Sequence, residues 1–328
     1  MEPEGSRAQL VARRAPLAGV LLIAIGASLW GIDGAVRKPL TTAWSPYTIV
    51  LYEHAVLVAV MGPYLWVHRE QLRRLTRAGW LSALVIGWGG SALATLLFTE
   101  AIAIHSANLN VVFLLQKTQP LWAIGAAALI LTERPGRQLG ALVLPAAVGT
   151  YLLSFGWMSP ADAASSPALR PAVYALAAAA LWGSATAFGR RGLQEVDFPV
   201  LTALRFTLAL PLLSVIALSQ SAVTPAHAAS AGGWLRLPVL ALGSGLLAML
   251  LYYRGLRTTP ASVATLAELA YPATGLLVNH YFLGYGLTGW NVVGFAILWV
   301  TIGLIYRVPV SVPRGREVAV PQPLPSGA

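Results

Sequence analysis

The 328-residue chain contains no cysteine and few charged residues, and each shortage excludes a class of protein. Without cysteine there is no disulfide framework, no thiolate nucleophile and no cysteine-ligated metal site. Only 10% of the residues are charged, whereas an ordinary soluble domain has about 25%. A soluble protein so poor in charge could not cover its surface with polar groups, but a lipid-facing surface does not need them.

Sequence motifs of several enzyme classes are also absent. The chain has no glycine-rich phosphate loop followed by Lys and Ser or Thr, no His-Glu-x-x-His and no Gly-x-Ser-x-Gly. A membrane-embedded enzyme would still need a nucleophile or a metal site, and His54 and His280 are the only histidines in the apolar runs. We therefore predict that the protein is not an enzyme and has neither a cofactor nor a metal.

Long apolar runs dominate what is present, since 57% of the residues are hydrophobic. A membrane-spanning helix needs about 20 mostly apolar residues. The sequence predicts an all-α membrane protein with ten transmembrane helices. These ten spans are 17–36, 47–67, 80–104, 109–131, 139–157, 172–189, 198–218, 235–253, 261–283 and 290–306.

The net charge of +10 is arranged in short basic clusters between the apolar runs. This arrangement is typical of cytoplasmic loops and not of a nucleic-acid-binding face. It predicts a multi-pass inner-membrane protein with both termini in the cytoplasm and disordered tails at 1–15 and 308–328. The expected partners are the lipid bilayer and a small-molecule substrate, with no nucleic acid.

Short motifs recur at a nearly constant offset, which indicates an internal repeat. Leu29-Trp30-Gly31 recurs as Leu181-Trp182-Gly183, and Pro120 matches Pro272, both at an offset of 152. Further matches at an offset of 154 are Gly79-Trp80 with Gly233-Trp234 and Gly140/Gly149 with Gly294/Gly303. We predict two five-helix repeats, 16–158 and 171–307, joined by a linker at 159–170. An odd number of helices inverts the second repeat, which is typical of transporters.

These motifs resemble the ten-helix EamA-like branch of the drug/metabolite transporter superfamily. The resemblance rests on Leu29-Trp30-Gly31 with its copy, and on the run from Gln116 to Pro120 followed by Glu133. It implies a central cavity between the repeats and alternating access, with export of amino acids and other metabolites or exchange of sugar phosphates and nucleotide sugars. The second repeat departs from the pattern, because Tyr285 stands where a second loop glutamate would fall.

Polar and ionisable side chains within the spans are the candidate site residues, because charges in hydrocarbon are costly and are usually functional. The candidate substrate-binding residues are Trp30, Asn110, Lys117, Trp182, Arg205, Glu268 and Tyr271. The candidate proton-coupling residues are Glu53 and His54. Asp33 is placed near the outer interface, and Arg37 and Lys38 in the first outer loop.

Each candidate has a second interpretation. Lys117 shares a helix face with Asn110, and it either attracts an anionic substrate or pairs with a carboxylate. Glu268 shares a face with Ala264 and Tyr271, and it either binds a substrate amine or proton or pairs with a cation. For Lys117 and Glu268 we take both interpretations as open.

The basic side chain of Arg205 matches His54 at an offset of 151. His54 is either a proton relay or a hydrogen-bonded packing residue. The expected function is proton-coupled or facilitated export of a small, amino-acid-like metabolite. The alternatives are an exchanger of anionic metabolites, favoured by Lys117, Arg205 and Arg254, and a structural subunit.

Overall fold

The structure is a computed structural model that describes residues 17–119, 121–122, 125–126, 137–221, 223, 231–256, 267–268 and 270–305. Pro120, Glu133, Ala264 and both predicted tails lie outside these residues. Throughout the described part of the chain the regular elements are helices, and no strand occurs there.

Thirteen α-helices are described, together with two 3₁₀ turns and two π-helical segments. The α-helices are α1 Leu17–Leu40, α2 Pro46–Val67, α3 Arg77–Leu84, α4 Ala94–Ala103, α5 Leu109–Leu115, α6 Arg137–Phe155, α7 Pro160–Ser165, α8 Leu169–Gly192, α9 Phe198–Ser219, α10 Ala231–Pro238, α11 Ala248–Leu256, α12 Ala270–Leu283 and α13 Gly289–Ile305. The 3₁₀ turns are Arg69–Arg74 and Gln116–Thr118, and the π segments are Val85–Leu93 and Val239–Leu247.

Several helices are long and apolar enough to cross a bilayer. Among the described residues there are five, namely Leu17–Leu40, Pro46–Val67, Arg77–Ala103, Phe198–Ser219 and Gly232–Gly255. Leu144–Phe155 and Gly289–Thr301 are shorter apolar helices. Large apolar side chains on these helices are exposed, with Leu218 at 70% and Leu235 at 73%, as expected of surfaces that face lipid. The molecule is a multi-pass membrane protein.

The helices repeat along the chain at the offsets of the sequence motifs. α1 and α8 each have 24 residues and begin 152 residues apart. α2 and α9 each have 22 residues and also begin 152 residues apart. α3 and α10, each followed by a nine-residue π segment, begin 154 residues apart. The exact boundaries of the two halves stay a prediction.

This register also changes one match that we drew from the sequence. The equal bounds of α2 and α9 pair Glu53, and not His54, with Arg205 at an offset of 152. His54 then corresponds to Phe206. The two repeats therefore place opposite charges at equivalent positions of their second helices.

The described residues form two compact units, and each unit takes helices from both repeats. Unit 1 comprises the described residues up to Glu70 together with 197–286, and unit 2 comprises 71–196 together with the described residues from Leu287 onward. The linker predicted at 159–170 lies in unit 2 and contains the short helix α7.

Within unit 1, α1 packs against α11 and α12, and α2 packs against α9. Glycines on α1 allow the close approach. A Cβ on Gly31 would lie 2.7 Å from the carbonyl oxygen of Tyr271 and 2.8 Å from the Cβ of Thr274. The glycine of the first Leu-Trp-Gly motif therefore brings α12 against α1, as small residues do in membrane helix packing.

Within unit 2, α8 packs against α3, α4, α5 and the first π segment, and α6 packs against α13. The loop after α8 holds the beginning of α3, because the Glu195 carboxylate accepts hydrogen bonds from the backbone N–H and the hydroxyl of Thr76 at 2.8 and 2.9 Å. Thr76 in turn caps α3 by accepting from the N–H of Gly79.

Two predicted spans differ from the observed helices. α1 continues to Leu40, so Arg37 and Lys38 lie in the helix and not in an outer loop. The span predicted from residue 109 is interrupted after Leu115, where Gln116–Thr118 tightens into a 3₁₀ turn, and the described residues 119, 121–122 and 125–126 are α-helical again. Lys117 therefore lies at a break in the helix, and mid-helix 3₁₀ stretches often mark functional or strained positions.

Candidate functional site

A network of buried charges in unit 1 links α1 to α2. The Arg37 guanidinium donates to Asp33 through Nε at 2.7 Å and Nη2 at 2.9 Å, and to Glu53 through Nη1 at 2.9 Å and Nη2 at 3.1 Å. The side chains of Arg37, Asp33 and Glu53 are 3%, 9% and 5% exposed. One cation thus bridges two carboxylates, and we call Asp33, Arg37 and Glu53 the charge network.

The local sequence explains the contact between Asp33 and Arg37. Asp33 and Arg37 are four residues apart on α1, a spacing that brings side chains together on one helix face. The contact between Arg37 and Glu53 depends instead on packing, because Glu53 is a buried residue of α2, the helix that begins after the Ser45 cap. The Ser244 hydroxyl on the second π segment lies 2.9 Å from both Asp33 Oδ1 and the Leu240 carbonyl oxygen, so its one proton reaches either acceptor.

His54 and Arg205 lie beside this network and contact other groups. Nδ1 of His54 lies 2.9 Å from the carbonyl oxygen of Val50, and the ring meets Phe206 edge-on. Both His54 and Arg205 are buried, and Arg205 and Arg37 are within electrostatic reach of the His54 ring. This geometry is that of a hydrogen-bonded packing histidine, while its proton-relay role stays a prediction.

A second group in unit 1 combines aromatic rings with a carboxylate. The rings of Trp30 and Tyr252 are 5.2 Å apart between centroids. The Tyr252 hydroxyl donates to Glu268 Oε1 at 2.6 Å, and the N–H of Tyr271 donates to the carbonyl oxygen of Glu268. Trp30, Tyr252 and Glu268 are all half-buried, and we call these three residues the aromatic–acid group. Three predicted site residues, Trp30, Glu268 and Tyr271, therefore come together.

Unit 2 contains the repeat equivalent of this group in a less polar form. Trp182 packs on Phe98 at 5.4 Å between centroids, and its indole N–H donates to the Gly90 carbonyl oxygen at 2.7 Å. Phe98 corresponds to Tyr252, and Gln116 corresponds to Glu268. Phe98 and Gln116 are buried, and the Gln116 amide donates to the Ala175 carbonyl oxygen. The equivalent position in unit 2 thus lacks both the phenol and the carboxylate.

The remaining predicted residues lie in unit 2. Asn110 is buried in the first turn of α5, and Lys117 is half-buried in the following 3₁₀ turn. A small cavity in the same unit is lined by Ser106, Asn108, Ser154 and apolar neighbours, and includes neither Asn110 nor Lys117. The predicted role of these two residues stays open.

Arg37, Ser244 and Tyr252 are not among the site residues predicted from the sequence. The i, i+4 spacing of Asp33 and Arg37 was a signal for the first, because a paired arginine can stay in a helix that an unpaired one would end. Tyr252 could have been found from the repeat register, in which a tyrosine replaces Phe98. For Ser244 we find no signal beyond its presence in a Gly/Ser-rich run.

Comparison with known proteins agrees with this architecture. The model of the EamA-like transporter family matches residues 17–155 and 169–307. The riboflavin transporter ImpX of Fusobacterium nucleatum subsp. nucleatum is 30% identical over 286 residues, which are 87% of this chain and 96% of that protein. A solved crystal structure with 18% identity has a TM-score of 0.57 and covers 88% of this chain and 99% of its own, a likeness of fold alone.

The apolar helices, the two-repeat order and these matches define a membrane transporter and not an enzyme. The chain belongs to the EamA-like transporter family. Both the resemblance drawn from the Leu-Trp-Gly motifs and the prediction that the protein is not an enzyme are confirmed.

Proposed function

We propose that the protein is a secondary transporter of a planar heteroaromatic metabolite of the riboflavin class. The observation that carries this proposal is the aromatic–acid group of unit 1. Trp30 and Tyr252 offer half-buried rings on which a flat ring system stacks, and the Glu268 carboxylate accepts hydrogen bonds from ring N–H or side-chain hydroxyl groups. The similarity to ImpX supports the same substrate class.

The contrast between the two units supports placing the substrate at this group. Where unit 1 has Tyr252 and Glu268, unit 2 has Phe98 and Gln116 at equivalent positions. A polar substrate needs the phenol and carboxylate only where it binds, so unit 1 is the better candidate. We therefore propose this class in place of the amino-acid-like substrate expected from the sequence. The aromatic–acid group contains two rings and a carboxylate but no cation that would bind the carboxylate of an amino acid.

The proposal includes a ten-helix architecture with inverted repeats, an inner-membrane location and cytoplasmic termini. It also includes coupling to protons, because a secondary transporter that concentrates its substrate needs an ion gradient. Export and import remain two directions of the same alternating-access cycle.

Purified protein in proteoliposomes tests the substrate class. We expect saturable counterflow of labelled riboflavin that unlabelled riboflavin inhibits and amino acids do not. The anionic-exchanger alternative, based on Lys117 and Arg205, predicts instead that sugar phosphates inhibit. Absence of riboflavin counterflow in active preparations would contradict the proposal.

A matched pair of variants tests the site. Tyr252→Phe removes the donor to Glu268 and introduces the ring of the unit 2 equivalent, Phe98, while the Glu268 carboxylate stays. A hydrogen bond to a charged group contributes about 1.5–3 kcal/mol, so we expect riboflavin affinity to fall by about tenfold or more. Tyr253→Phe, one residue further along α11, removes a phenol but leaves the Tyr252–Glu268 bond in place, and we expect its affinity to match the wild type. Equal affinities for all three proteins would exclude this group as the substrate site.

A further inference from the structure

We infer that Glu53 is the proton-binding residue of the transport cycle, and that Arg37 and Asp33 hold it in place. The inference rests on the proposed transport function and names the site of its coupling ion. Of the two predicted proton-coupling residues, Glu53 and His54, it selects Glu53, whose carboxylate shares the Arg37 guanidinium with Asp33.

The first step is the charge balance. Among the described residues, the only ion pairs of Asp33 and Glu53 are those with Arg37. With all three groups ionised, the network carries one net negative charge in a site that is nearly closed to solvent. An uncompensated charge at a buried site within a membrane protein is costly. One bound proton would bring the network to neutrality.

Asp33 and Glu53 differ in their hydrogen bonds, and this difference indicates which carboxylate takes the proton. Asp33 has the shorter contacts with Arg37, at 2.7 and 2.9 Å, and the Ser244 hydroxyl is also within reach. Glu53 has the two longer contacts with Arg37, at 2.9 and 3.1 Å. Hydrogen bonds to a carboxylate favour its ionised form, so Glu53, which has the longer contacts and no hydroxyl beside it, is the carboxylate that accepts the proton.

Other titratable groups lie on α1, on α2 and on the helices that pack against them. They are Lys38 on α1, Tyr47, Tyr52, His54 and Tyr64 on α2, Arg205 on α9, Arg236 on α10, Tyr252, Tyr253 and Arg254 on α11, and Tyr271, His280 and Tyr281 on α12. His280 is exposed, and its Nδ1 lies 3.4 Å from the carbonyl oxygen of Tyr285. Tyr271 is within electrostatic reach of Asp33, and Arg205 of His54. The lysine, the arginines and the tyrosines do not titrate near neutrality in ordinary environments, and Nδ1 of His54 is held at the Val50 carbonyl.

The resulting cycle moves one proton and breaks no covalent bond. A proton from the aqueous phase binds a Glu53 oxygen, and the hydrogen bond from Arg37 to that oxygen is lost. Arg37 then keeps its ion pair with Asp33 but loses a hydrogen bond to Glu53, so the link between α1 and α2 weakens. Release of the proton to the opposite phase restores the bidentate contact. Proton binding at Glu53 is in this way tied to the packing of α1, the helix that also carries Trp30.

Proteoliposomes with riboflavin as the probe separate coupling from transport. Counterflow needs no gradient, whereas accumulation does, and one proton per substrate supports up to about tenfold accumulation for each pH unit across the membrane. We expect gradient-driven accumulation in the wild type and in the control Glu70→Gln, which changes an exposed carboxylate. Glu53→Gln is expected to keep counterflow and to lose the accumulation. His54→Gln is expected to keep the accumulation.

Accumulation by Glu53→Gln equal to the wild type would overturn the inference, as would wild-type counterflow without any accumulation. The latter result would leave the proposed transport function intact. Glu53→Asp retains a carboxyl group and should retain accumulation, which separates loss of the proton site from loss of packing.

Infrared spectroscopy of the whole protein tests the inference even if riboflavin is not the substrate. Acidification protonates several carboxylates, and the resulting carboxylic-acid C=O absorption of the wild type should contain a band from the buried Glu53 that is lost in Glu53→Gln and kept in Glu70→Gln. Absence of riboflavin counterflow together with this band would refute the substrate and support the proton site. A spectrum unchanged by Glu53→Gln would overturn the proton site.

Discussion

At the scale of single residues, Arg37 has the largest consequence for stability. It is the cation through which both buried carboxylates of the charge network are paired. Arg37→Ala would leave Asp33 and Glu53 buried without a counter-ion, and breaking a buried pair in this way costs about 3–5 kcal/mol. We expect the free energy of unfolding, measured by denaturation with SDS in mixed micelles, to fall by that amount.

Two control variants test whether the loss of stability comes from the unbalanced charge. Arg74→Ala removes an exposed arginine from the 3₁₀ turn after α2 and should change stability by no more than about 0.5 kcal/mol. Glu53→Gln leaves Asp33 and Arg37 as a neutral pair, so it should cost far less than Arg37→Ala. Similar losses for Arg37→Ala and Glu53→Gln would show that volume and not charge sets the cost.

At the scale of helices, Gly31 sets the distance between α1 and α12. A Cβ at this position would lie within 3.0 Å of three atoms of α12, including the Gly275 nitrogen at 2.9 Å. Because two of these atoms belong to the backbone, Gly31→Ala can be accommodated only if the helices move apart. We expect a lower melting temperature and reduced riboflavin counterflow, since Trp30 is the preceding residue.

The control is Gly62→Ala on α2, where the nearest atom to a new Cβ is 3.9 Å away. Alanine is the better helix former by about 1 kcal/mol, so this variant should melt at the same or a higher temperature. A lower melting temperature for Gly62→Ala than for Gly31→Ala would contradict the packing argument.

The sequence predicts the helices better than their ends and their irregularities. Apolar runs and the Leu-Trp-Gly repeat locate α1 and α8, but the predicted first span ends at residue 36 because Arg37, Lys38 and Pro39 resemble a loop. The helix continues to Leu40 because Arg37 is neutralised by Asp33 within the helix and by Glu53 from α2. That second contact depends on tertiary packing, which no local pattern contains.

The two π segments escape sequence-based prediction for a different reason. Val85–Leu93 and Val239–Leu247 are apolar stretches whose periodicity does not separate a π-helix from an α-helix. Their presence at equivalent positions indicates a common role, and π bulges are frequent at functional sites. Each presents a polar contact to a neighbouring helix, from Ser244 to Asp33 on α1 and from the Gly90 carbonyl to Trp182 on α8.

At the scale of the whole molecule, the repeat register and the charge distribution both bear on topology. The placement of Arg37 inside α1 removes a positive charge from a loop that the predicted topology puts outside. The remaining basic clusters, such as Arg69, Arg73, Arg74 and Arg77, lie in segments that it puts in the cytoplasm. In the predicted topology, the excess of positive residues on the cytoplasmic side is therefore larger once Arg37 is counted within the helix.

Inverted repeats would place equivalent positions on opposite faces of the membrane, and labelling of single introduced cysteines can test this. Thr42 and Gln194 are equivalent positions at the offset of 152, and both are exposed in the structure. If each repeat has five spanning helices, these positions lie on opposite faces of the membrane. Because the chain has no native cysteine, Thr42→Cys and Gln194→Cys each introduce a single thiol. A membrane-impermeant maleimide added to intact cells should label Thr42→Cys at once and Gln194→Cys only after permeabilisation. Labelling of both variants in intact cells, or of neither, would instead indicate repeats of the same orientation and an even number of spans in each.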